Sequence, residues 1–188
     1  MIADYFIVKN VVTKEECDYL IHKGKQNMYD SEVNSTDQKN GVVNKQTRSS
    51  KTSVYKPISR EDNSFVLRKL FREKILKTYK DVAFEFYKQP IRFIEDPQFT
   101  FYTEKDFFYW HFDSLDQFSQ VNRDLSASLI LSDSRDYDNG RLGFKMPGGD
   151  IEIEEEQGMM IVFPSLFIHR VSQITRGERA SIVIWGGL

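Results

Sequence analysis

The sequence predicts an α+β domain in which two N-terminal helices precede a core of about eight or nine short strands. Two stretches within residues 1–90 carry apolar residues at helical spacing. After Pro90, by contrast, short runs of strand-forming residues alternate with Gly, Pro, Asn and Asp. So many evenly spaced strands favour a double-sheet jelly roll or a barrel over a doubly wound parallel sheet. A chain of 188 residues fits one domain, with 1–90 as a helical support and loop region and 91–188 as the strand core.

Thr13 and Glu16 have the spacing of a capping box, which predicts that the first helix begins after Thr13. A short strand around residues 5–8 precedes it, and the helix should end near residues 26–27. Residues 28–60 are polar and predict a long loop with one short strand around 52–55. This loop carries six basic residues, which we interpret as a lid over a peptide or anionic substrate or as a solvated surface: Lys39, Lys45, Arg48, Lys51, Lys56 and Arg60.

The second helix should begin after Asp62 or Ser64, either of which could cap it, and its apolar side runs from Phe65 to Tyr79. The predicted core strands share aromatic and β-branched residues bounded by turn residues. They cover residues 91–94, 98–103, 107–112, 125–131, 142–145, 150–153, 159–163, 168–171 and 180–185.

Composition narrows the class of protein. The net charge is −2, which argues against a general nucleic-acid binder, and no apolar run approaches the roughly 18 residues of a membrane span. The N-terminus lacks the basic and apolar regions of a secretion signal. Cys17 is the only cysteine, which excludes an intrachain disulfide and a thiolate metal cluster. These features favour a cytoplasmic protein.

Chemistry is indicated by His111 and Asp113, which flank Phe112 in a predicted strand. Alternate strand residues face the same side, so the imidazole and the carboxylate would project together. His169, in a later apolar strand, could complete a two-histidine, one-carboxylate face, the arrangement that suits non-haem Fe(II). Taken alone, a His-x-Asp pair is frequent by chance. The third histidine, His22, is expected to be a solvated helix residue.

Arg179 follows His169 by ten residues, across a turn that contains Gly177. We expect this connection to be a hairpin that returns the chain beside the strand of His169. The planar guanidinium of Arg179 would then be available to a carboxylate in bidentate geometry. The alternative is a surface arginine just past a turn. Arg179 opens an apolar strand, however, where an inward-facing charge would need a partner.

These motifs resemble the 2-oxoglutarate/Fe(II) oxygenase superfamily, and within it the prolyl 4-hydroxylase-like branch of bacterial and viral type. The resemblance covers nearly the whole chain. It includes the opening strand and helix at residues 11–21, an Arg-x-Ser segment at 48–50, a central strand and turn at 124–142, and the His111, Asp113, His169 and Arg179 motif. It implies a double-stranded β-helix (jelly-roll) core with the N-terminal helices packed on one sheet.

The resemblance also implies the cofactors and the roles of residues. His111, Asp113 and His169 would be the iron ligands and catalytic residues. The co-substrate 2-oxoglutarate would be held by Arg179, Tyr102 and Ser181, and O2 would be the oxidant, with ascorbate as a supporting reductant. The presence of Asp113 implies hydroxylation rather than halogenation. Residues expected to contact substrate are Arg48, Tyr55, Trp110 and Trp185.

The sequence leaves the identity of the substrate undetermined. Relatives often carry Gly and Tyr where this chain has Lys105 and Phe108, and Asn139-Gly140 stands in place of Gly-Gly. One interpretation is a peptidyl prolyl 4-hydroxylase acting on a peptide or protein. Another is the same chemistry on a free amino acid, a small metabolite or a nucleobase, although Arg176 does not supply the second arginine of nucleobase demethylases. A third is a jelly-roll binding module without turnover, which should have lost one of these ligands.

Overall fold

The computed structural model describes residues 5–33, 42–56, 64–114 and 122–188. Its helices are α1 (Lys14–Gly24), followed by a 3₁₀ turn (Lys25–Asn27), and a second helical segment that contains α2 (Phe65–Leu70), a π-helical turn (Phe71–Ile75) and α3 (Leu76–Tyr87). Among the described residues, no helix has both the length and the apolar character needed to cross a membrane.

Both predicted helix starts are confirmed. Thr13 caps α1: its side chain accepts a hydrogen bond from the Glu16 N–H, and the Glu16 carboxylate accepts one from the Thr13 N–H, which completes the capping box. Ser64 caps α2 by accepting from the Leu67 N–H. The other candidate cap, Asp62, lies outside the described residues.

Most strands follow the helices in the chain, and all of the strand pairs among the described residues are antiparallel. In chain order they are β1 (Phe6–Val8), β2 (Tyr29–Asp30), β3 (Lys51–Val54), β4 (Phe93–Ile94), β5 (Gln98–Tyr102), β6 (Phe108–His111), β7 (Leu125–Ile130), β8 (Tyr137–Asn139), β9 (Leu142–Met146), β10 (Gly149–Glu152), β11 (Met160–Pro164), β12 (His169–Val171), β13 (Ile174–Gly177) and β14 (Arg179–Gly187).

Two sheets build the core. The large sheet has the order β1-β11-β7-β14-β5-β3-β2, with β4 also paired to β14. The small sheet has the order β10-β9-β12-β6, and β13 pairs with β8 in a separate ribbon. Strands adjacent in these sheets are mostly distant in sequence, so the topology is one of crossovers between sheets rather than of simple hairpins.

The helices cover one face of the large sheet. Leu20 of α1 and Phe71 and Tyr79 of the second helical segment are fully buried in one apolar cluster with Phe99 of β5 and Ile182 of β14. The Tyr79 hydroxyl also donates to the Leu125 carbonyl of β7 at 2.7 Å. Burial of these side chains is the main force that docks the helices. Helices on one sheet agree with the predicted α+β class.

The other face of the large sheet meets the small sheet. Phe144 of β9 lies edge-on to Phe163 of β11, with ring centroids 4.9 Å apart. Ile130 and Ile161 of the large sheet and Ile153, which follows β10, belong to the same buried cluster. This apolar layer closes one end of the space between the sheets, and the polar site residues occupy the remainder.

The strands β2, β8 and β13 were not predicted. Each has two to four residues, most of them polar, so neither alternation nor an apolar run marks them in the sequence. The region predicted as a loop is also held to sheet edges: the Ser49 N–H donates to the Phe107 carbonyl, and the Tyr109 N–H donates to the Thr47 carbonyl. Of its basic residues, Lys39 and Arg60 lie outside the described part of the chain.

Candidate active site

The metal-ligand candidates come together where two strands of the small sheet meet. His169 of β12 lies directly opposite His111 of β6 in the strand register. Asp113 follows β6, and its backbone N–H donates to the Ser165 carbonyl at 2.9 Å, which ties it to the chain that leads into β12. The pairing shifts by one residue between His111 and Phe108. This bulge places the Phe108 ring against the His111 imidazole, with centroids 3.5 Å apart.

The three side chains present their ligand atoms to one point. His111 Nε2 lies 3.6 Å from Asp113 Oδ1, and His169 Nε2 lies 3.5 Å from Asp113 Oδ2. One ligand atom from each residue falls within 4.8 Å of the others. Each histidine places Nδ1 against a backbone carbonyl, that of Tyr109 at 2.7 Å and that of Phe167 at 2.9 Å. A protonated Nδ1 leaves the Nε2 lone pair for a metal ion.

The protonation states suit metal binding. Burial, together with the neighbouring His169, lowers the pKa of His111 to about 3, so its imidazole is neutral at physiological pH. Burial alone would raise the pKa of Asp113, but His169, His111 and the Ser126 hydroxyl outweigh it and hold that pKa below its usual range. The site therefore offers a neutral imidazole and a carboxylate anion, the forms in which these groups ligate metals.

These residues fit a first-row divalent ion with open coordination positions. Two imidazole nitrogens and one carboxylate on one side leave the opposite side to the cavity, as in the facial triad of non-haem Fe(II) sites. The structure thus brings together the three residues that the sequence singled out. His22 is exposed on α1, as expected.

Ser126 supports the carboxylate and was not anticipated from the sequence. It lies fully buried on β7, where its hydroxyl donates to Asp113 Oδ2 at 2.7 Å and lies 2.8 Å from the Ser165 hydroxyl. This contact fixes the orientation of the Asp113 carboxyl group, since Oδ1 is left toward His111. The large sheet thereby orients a ligand carried by the small sheet.

Ser126→Ala should weaken metal binding while leaving all three ligands in place. Loss of a hydrogen bond to a ligating carboxylate typically costs about 10–100-fold in metal affinity or activity. Titration of the metal-free protein with Fe(II) under anaerobic conditions measures the effect. Ser53→Ala is the matched control, because Ser53 is a buried serine that donates to the Gly24 carbonyl and does not line the cavity. Equal Fe(II) affinity of the Ser126 variant and the wild type would contradict the supporting role.

Arg179 lines the cavity between the sheets, but the strand that carries it does not lie beside the strand of His169, as the sequence predicted. The predicted hairpin beside the strand of His169 is wrong, because β12 belongs to the small sheet and β14 to the large sheet. The intervening β13 leaves the small sheet, and Gly177 turns the chain with φ +80°, where a Cβ atom would lie 2.0 Å from the Asp136 carbonyl oxygen. Arg179 therefore approaches the cavity from the sheet opposite His169.

The Arg179 side chain is buried, with 1% exposure, rather than on the surface. Its Nε and Nη2 atoms donate to Glu155 at 2.9 and 2.7 Å, and Nη1 donates to the Ser181 hydroxyl at 3.2 Å. Tyr102 pairs with Arg179 in the register of β5 and β14, and the guanidinium carbon lies 5.7 Å from its ring centroid. Burial would lower the pKa of Arg179, but Glu155 more than offsets it, so Arg179 is charged.

The residues predicted to hold the co-substrate thus share one end of the cavity. Tyr102, Arg179 and Ser181 all line it, as do His111, Asp113 and His169. Ser181 is also within 2.7 Å of the Thr100 hydroxyl on the neighbouring strand. A cationic, hydroxyl-rich end and a metal-ligand end in one cavity suit a ligand that carries a carboxylate at one end and a chelating group at the other.

Two of the four predicted substrate residues also line the cavity, namely Arg48 and Trp185. Arg48 is buried: its Nε donates to the Ser50 hydroxyl at 2.7 Å, and its guanidinium lies over the Phe108 ring at 4.6 Å. The guanidinium carbon of Arg123 lies over the Trp185 ring, 4.2 Å from the ring centroid. The Trp185 indole nitrogen is buried and makes no hydrogen bond within the described residues.

Neither Trp110 nor Tyr55, the other two predicted substrate residues, lines the cavity. Trp110 lies on the outer side of β6, between the cationic groups of Lys145 at 5.1 Å and Arg170 at 4.5 Å. Tyr55 is buried beneath the helices, where its ring packs on Phe71. The Tyr55 ring is therefore part of the apolar core rather than of the cavity wall.

Tyr55→Phe distinguishes a structural role of Tyr55 in the core from a role in substrate binding. The Tyr55 hydroxyl donates to the Leu20 carbonyl at 2.6 Å, so its removal deletes one buried hydrogen bond between β3's end and α1. The free energy of unfolding should fall by about 1–2 kcal/mol. Kinetic constants at the site should not change. Chemical denaturation and steady-state assays on the same preparation test both statements, and a large rise in KM at unchanged stability would restore the substrate role.

Glu155, the buried anion paired with Arg179, was not predicted from the sequence. It lies in the acidic run 152–156, which is typical of a solvated surface. The signal was the strand alternation: Ile151, Ile153 and Glu155 follow one another at a spacing of two, so Glu155 continues the inward-facing side. The inward-facing charge predicted for Arg179 implied a buried anion of this kind.

Comparison with known proteins agrees with this geometry. The family model of the 2OG-Fe(II) oxygenase superfamily matches residues 97–186. A PKHD-type hydroxylase from Gluconacetobacter diazotrophicus is 32% identical over 131 residues, covering 67% of this chain and 54% of that protein. A PKHD-type hydroxylase from Acidovorax ebreus is 34% identical over 99 residues, covering 50% of this chain and 44% of that protein. The chain spans about half the length of these relatives.

Solved structures extend the likeness to the whole chain. A Pseudomonas putida prolyl-4-hydroxylase superposes with a TM-score of 0.72 at 17% identity, covering 98% of this chain and 93% of that one. The viral collagen prolyl hydroxylase of Paramecium bursaria Chlorella virus-1, in its 2OG complex, gives a TM-score of 0.69 at 16% identity, covering 99% and 97%. At these identities the likeness is one of fold.

Proposed function

We propose that this chain is a member of the 2OG-Fe(II) oxygenase superfamily and a hydroxylase that oxidises an unactivated C–H bond of its substrate with Fe(II), 2-oxoglutarate and O2, supported by the family model over residues 97–186 and by the fold likeness. The observation that carries the proposal is a single cavity with His111, Asp113 and His169 at one end and Arg179 at the other. We further propose that residues 1–188 form one oxygenase domain whose two facing sheets are a double-stranded β-helix (jelly roll).

The roles of the residues follow from their contacts. His111, Asp113 and His169 would hold Fe(II), which, when bound, supplies O2 activation coupled to decarboxylation of 2-oxoglutarate to succinate and CO2. Arg179 would bind the distal carboxylate of 2-oxoglutarate through its free N–H donors, with Tyr102 and Ser181 beside it. The apolar walls formed by Phe108, Phe163 and their neighbours would exclude water from the reacting atoms.

The substrate proposal is a peptide or protein, with peptidyl proline as the first candidate. It is supported by the fold likeness to prolyl hydroxylases and by Arg48 and Trp185 on the cavity wall, which could contact a peptide backbone. A free amino acid or small metabolite is the second candidate. The buried Arg48 favours it, because its guanidinium would be a partner for a substrate carboxylate. Stimulation by ascorbate and a cytoplasmic location stay predictions.

Substrate panels distinguish the two candidates. Fe(II)-loaded protein is incubated with 2-oxoglutarate, O2 and either proline-rich peptides or free amino acids, and products are read by mass spectrometry together with succinate. A peptide that gains one oxygen atom, with one succinate formed for each, supports a peptidyl hydroxylase. Oxygen gained only by a free amino acid selects the second candidate. Succinate without any product in either panel contradicts both substrate proposals and leaves the oxygenase.

A further inference from the structure

Glu155 forms a buried ion pair immediately behind the predicted co-substrate site. The Glu155 and Arg179 side chains are each 1% exposed. Oε1 of Glu155 accepts from Arg179 Nη2 at 2.7 Å and from the Leu142 N–H at 2.9 Å. Oε2 accepts from Arg179 Nε at 2.9 Å and from the Tyr137 hydroxyl at 2.6 Å. Four donors from three elements therefore fix this carboxylate in position and orientation.

The ion pair compensates the buried positive charge of Arg179. A buried guanidinium with no anion at hand is strongly unfavourable, because burial removes its hydration. Arg179 would face that situation whenever 2-oxoglutarate is not bound. Glu155 is not among the residues that line the cavity, so it can compensate Arg179 without occupying space that a ligand needs.

The pair also determines which donors Arg179 presents. A guanidinium has five N–H donors. Glu155 uses the N–H of Nε and one on Nη2, and Ser181 uses one on Nη1. Because Glu155 occupies the side edge formed by Nε and Nη2, the edge left for a ligand is the terminal edge between Nη1 and Nη2. That edge is the one that can bind a carboxylate with two parallel hydrogen bonds.

We propose that Glu155 is a positioning residue for the co-substrate: it holds the Arg179 guanidinium by its side edge so that the terminal edge is preorganised for the distal carboxylate of 2-oxoglutarate. The inference rests on the proposed function. Glu155 acts through Arg179 and touches neither the metal ligands nor the cavity, so its effect is confined to ligands that carry the distal carboxylate.

Glu155→Gln tests the inference with almost no change in volume. An amide has one oxygen acceptor, and its NH2 group would face donors at the position of the other oxygen. The dissociation constant of 2-oxoglutarate should rise about tenfold, as expected for loss of charge-assisted hydrogen bonding. It is measured by calorimetric titration of 2-oxoglutarate into anaerobic Fe(II)-loaded protein. Binding of Fe(II), and of 2-oxobutanoate, which lacks the distal carboxylate, should not change. In turnover, KM for 2-oxoglutarate should rise at nearly constant kcat.

Glu154→Gln is the matched control, because Glu154 is exposed and adjacent in sequence. If Glu155→Gln does not fold, Tyr137→Phe replaces it, since that variant removes only the hydrogen bond to Oε2 and should weaken 2-oxoglutarate about threefold. Wild-type affinity in the folded variant, or equal weakening of 2-oxobutanoate, would overturn the positioning role. A wild-type protein that binds no 2-oxoglutarate would instead refute the proposed function itself.

Discussion

Asp113→Ala is expected to lose at least about a hundredfold in Fe(II) affinity and all measurable turnover. The carboxylate is the only anionic ligand among the three, and both histidine Nε2 atoms face it at 3.5 and 3.6 Å. Its removal also deletes the hydrogen bond that the carboxylate accepts from the Ser126 hydroxyl. Anaerobic Fe(II) titration and a succinate assay measure the two effects.

The matched control is Asp150→Ala, because Asp150 is an exposed aspartate on β10. Its Fe(II) affinity and turnover should equal those of the wild type. Asp113→Ala with full hydroxylase activity would remove Asp113 from the metal site. Activity retained together with lost Fe(II) affinity would mean that another group supplies the third ligand.

Arg179→Ala is expected to have the second largest effect, on stability and on co-substrate binding together. The variant leaves Glu155 as an unpaired charge that is buried to 99% of its surface. Breaking one side of a buried ion pair typically costs about 3–5 kcal/mol. Binding of 2-oxoglutarate should fall at least about a hundredfold, while Fe(II) affinity should change little, because no metal ligand contacts Arg179 among the described residues. Denaturant unfolding and calorimetry give both numbers.

The double variant Arg179→Leu, Glu155→Leu separates the two effects. With no charge left unpaired, part of the lost stability should return, as replacement of a buried ion pair by apolar residues is often tolerated. Affinity for 2-oxoglutarate should stay lost. Recovery of that affinity in the double variant would show that Arg179 does not bind the co-substrate. Unchanged stability of Arg179→Ala would contradict the buried pair.

The sequence predicted the metal-ligand residues because their signal is local. His111 and Asp113 stand two residues apart in a strand, where strand geometry alone decides that they share a side. The helix caps and the apolar helix stripes are local in the same sense, and Thr13 and Ser64 both cap helices as predicted. Such features are determined by residues that lie within a few positions of one another in the sequence.

The errors concern which elements meet. The segment between His169 and Arg179 has the composition of a hairpin, yet it crosses from one sheet to the other, and only the pairing of β14 with β5 and β7 decides that. The burial of Glu155 could not be predicted from its neighbours, because an acidic run is usually solvated. It depends on the ion pair with Arg179, which lies 24 residues later in the chain. Tyr55 was assigned to the site by its loop, but the helices packed above it place its ring in the core.

Succinate formation from 2-oxoglutarate, after O2 is admitted to anaerobic Fe(II)-loaded protein, is the decisive test of the proposed oxygenase function, with His111→Ala measured in parallel. We expect the wild type to form succinate in equal amount to the 2-oxoglutarate consumed, dependent on both Fe(II) and O2, and His111→Ala to form none. A wild-type protein that binds neither Fe(II) nor 2-oxoglutarate and forms no succinate would contradict that function.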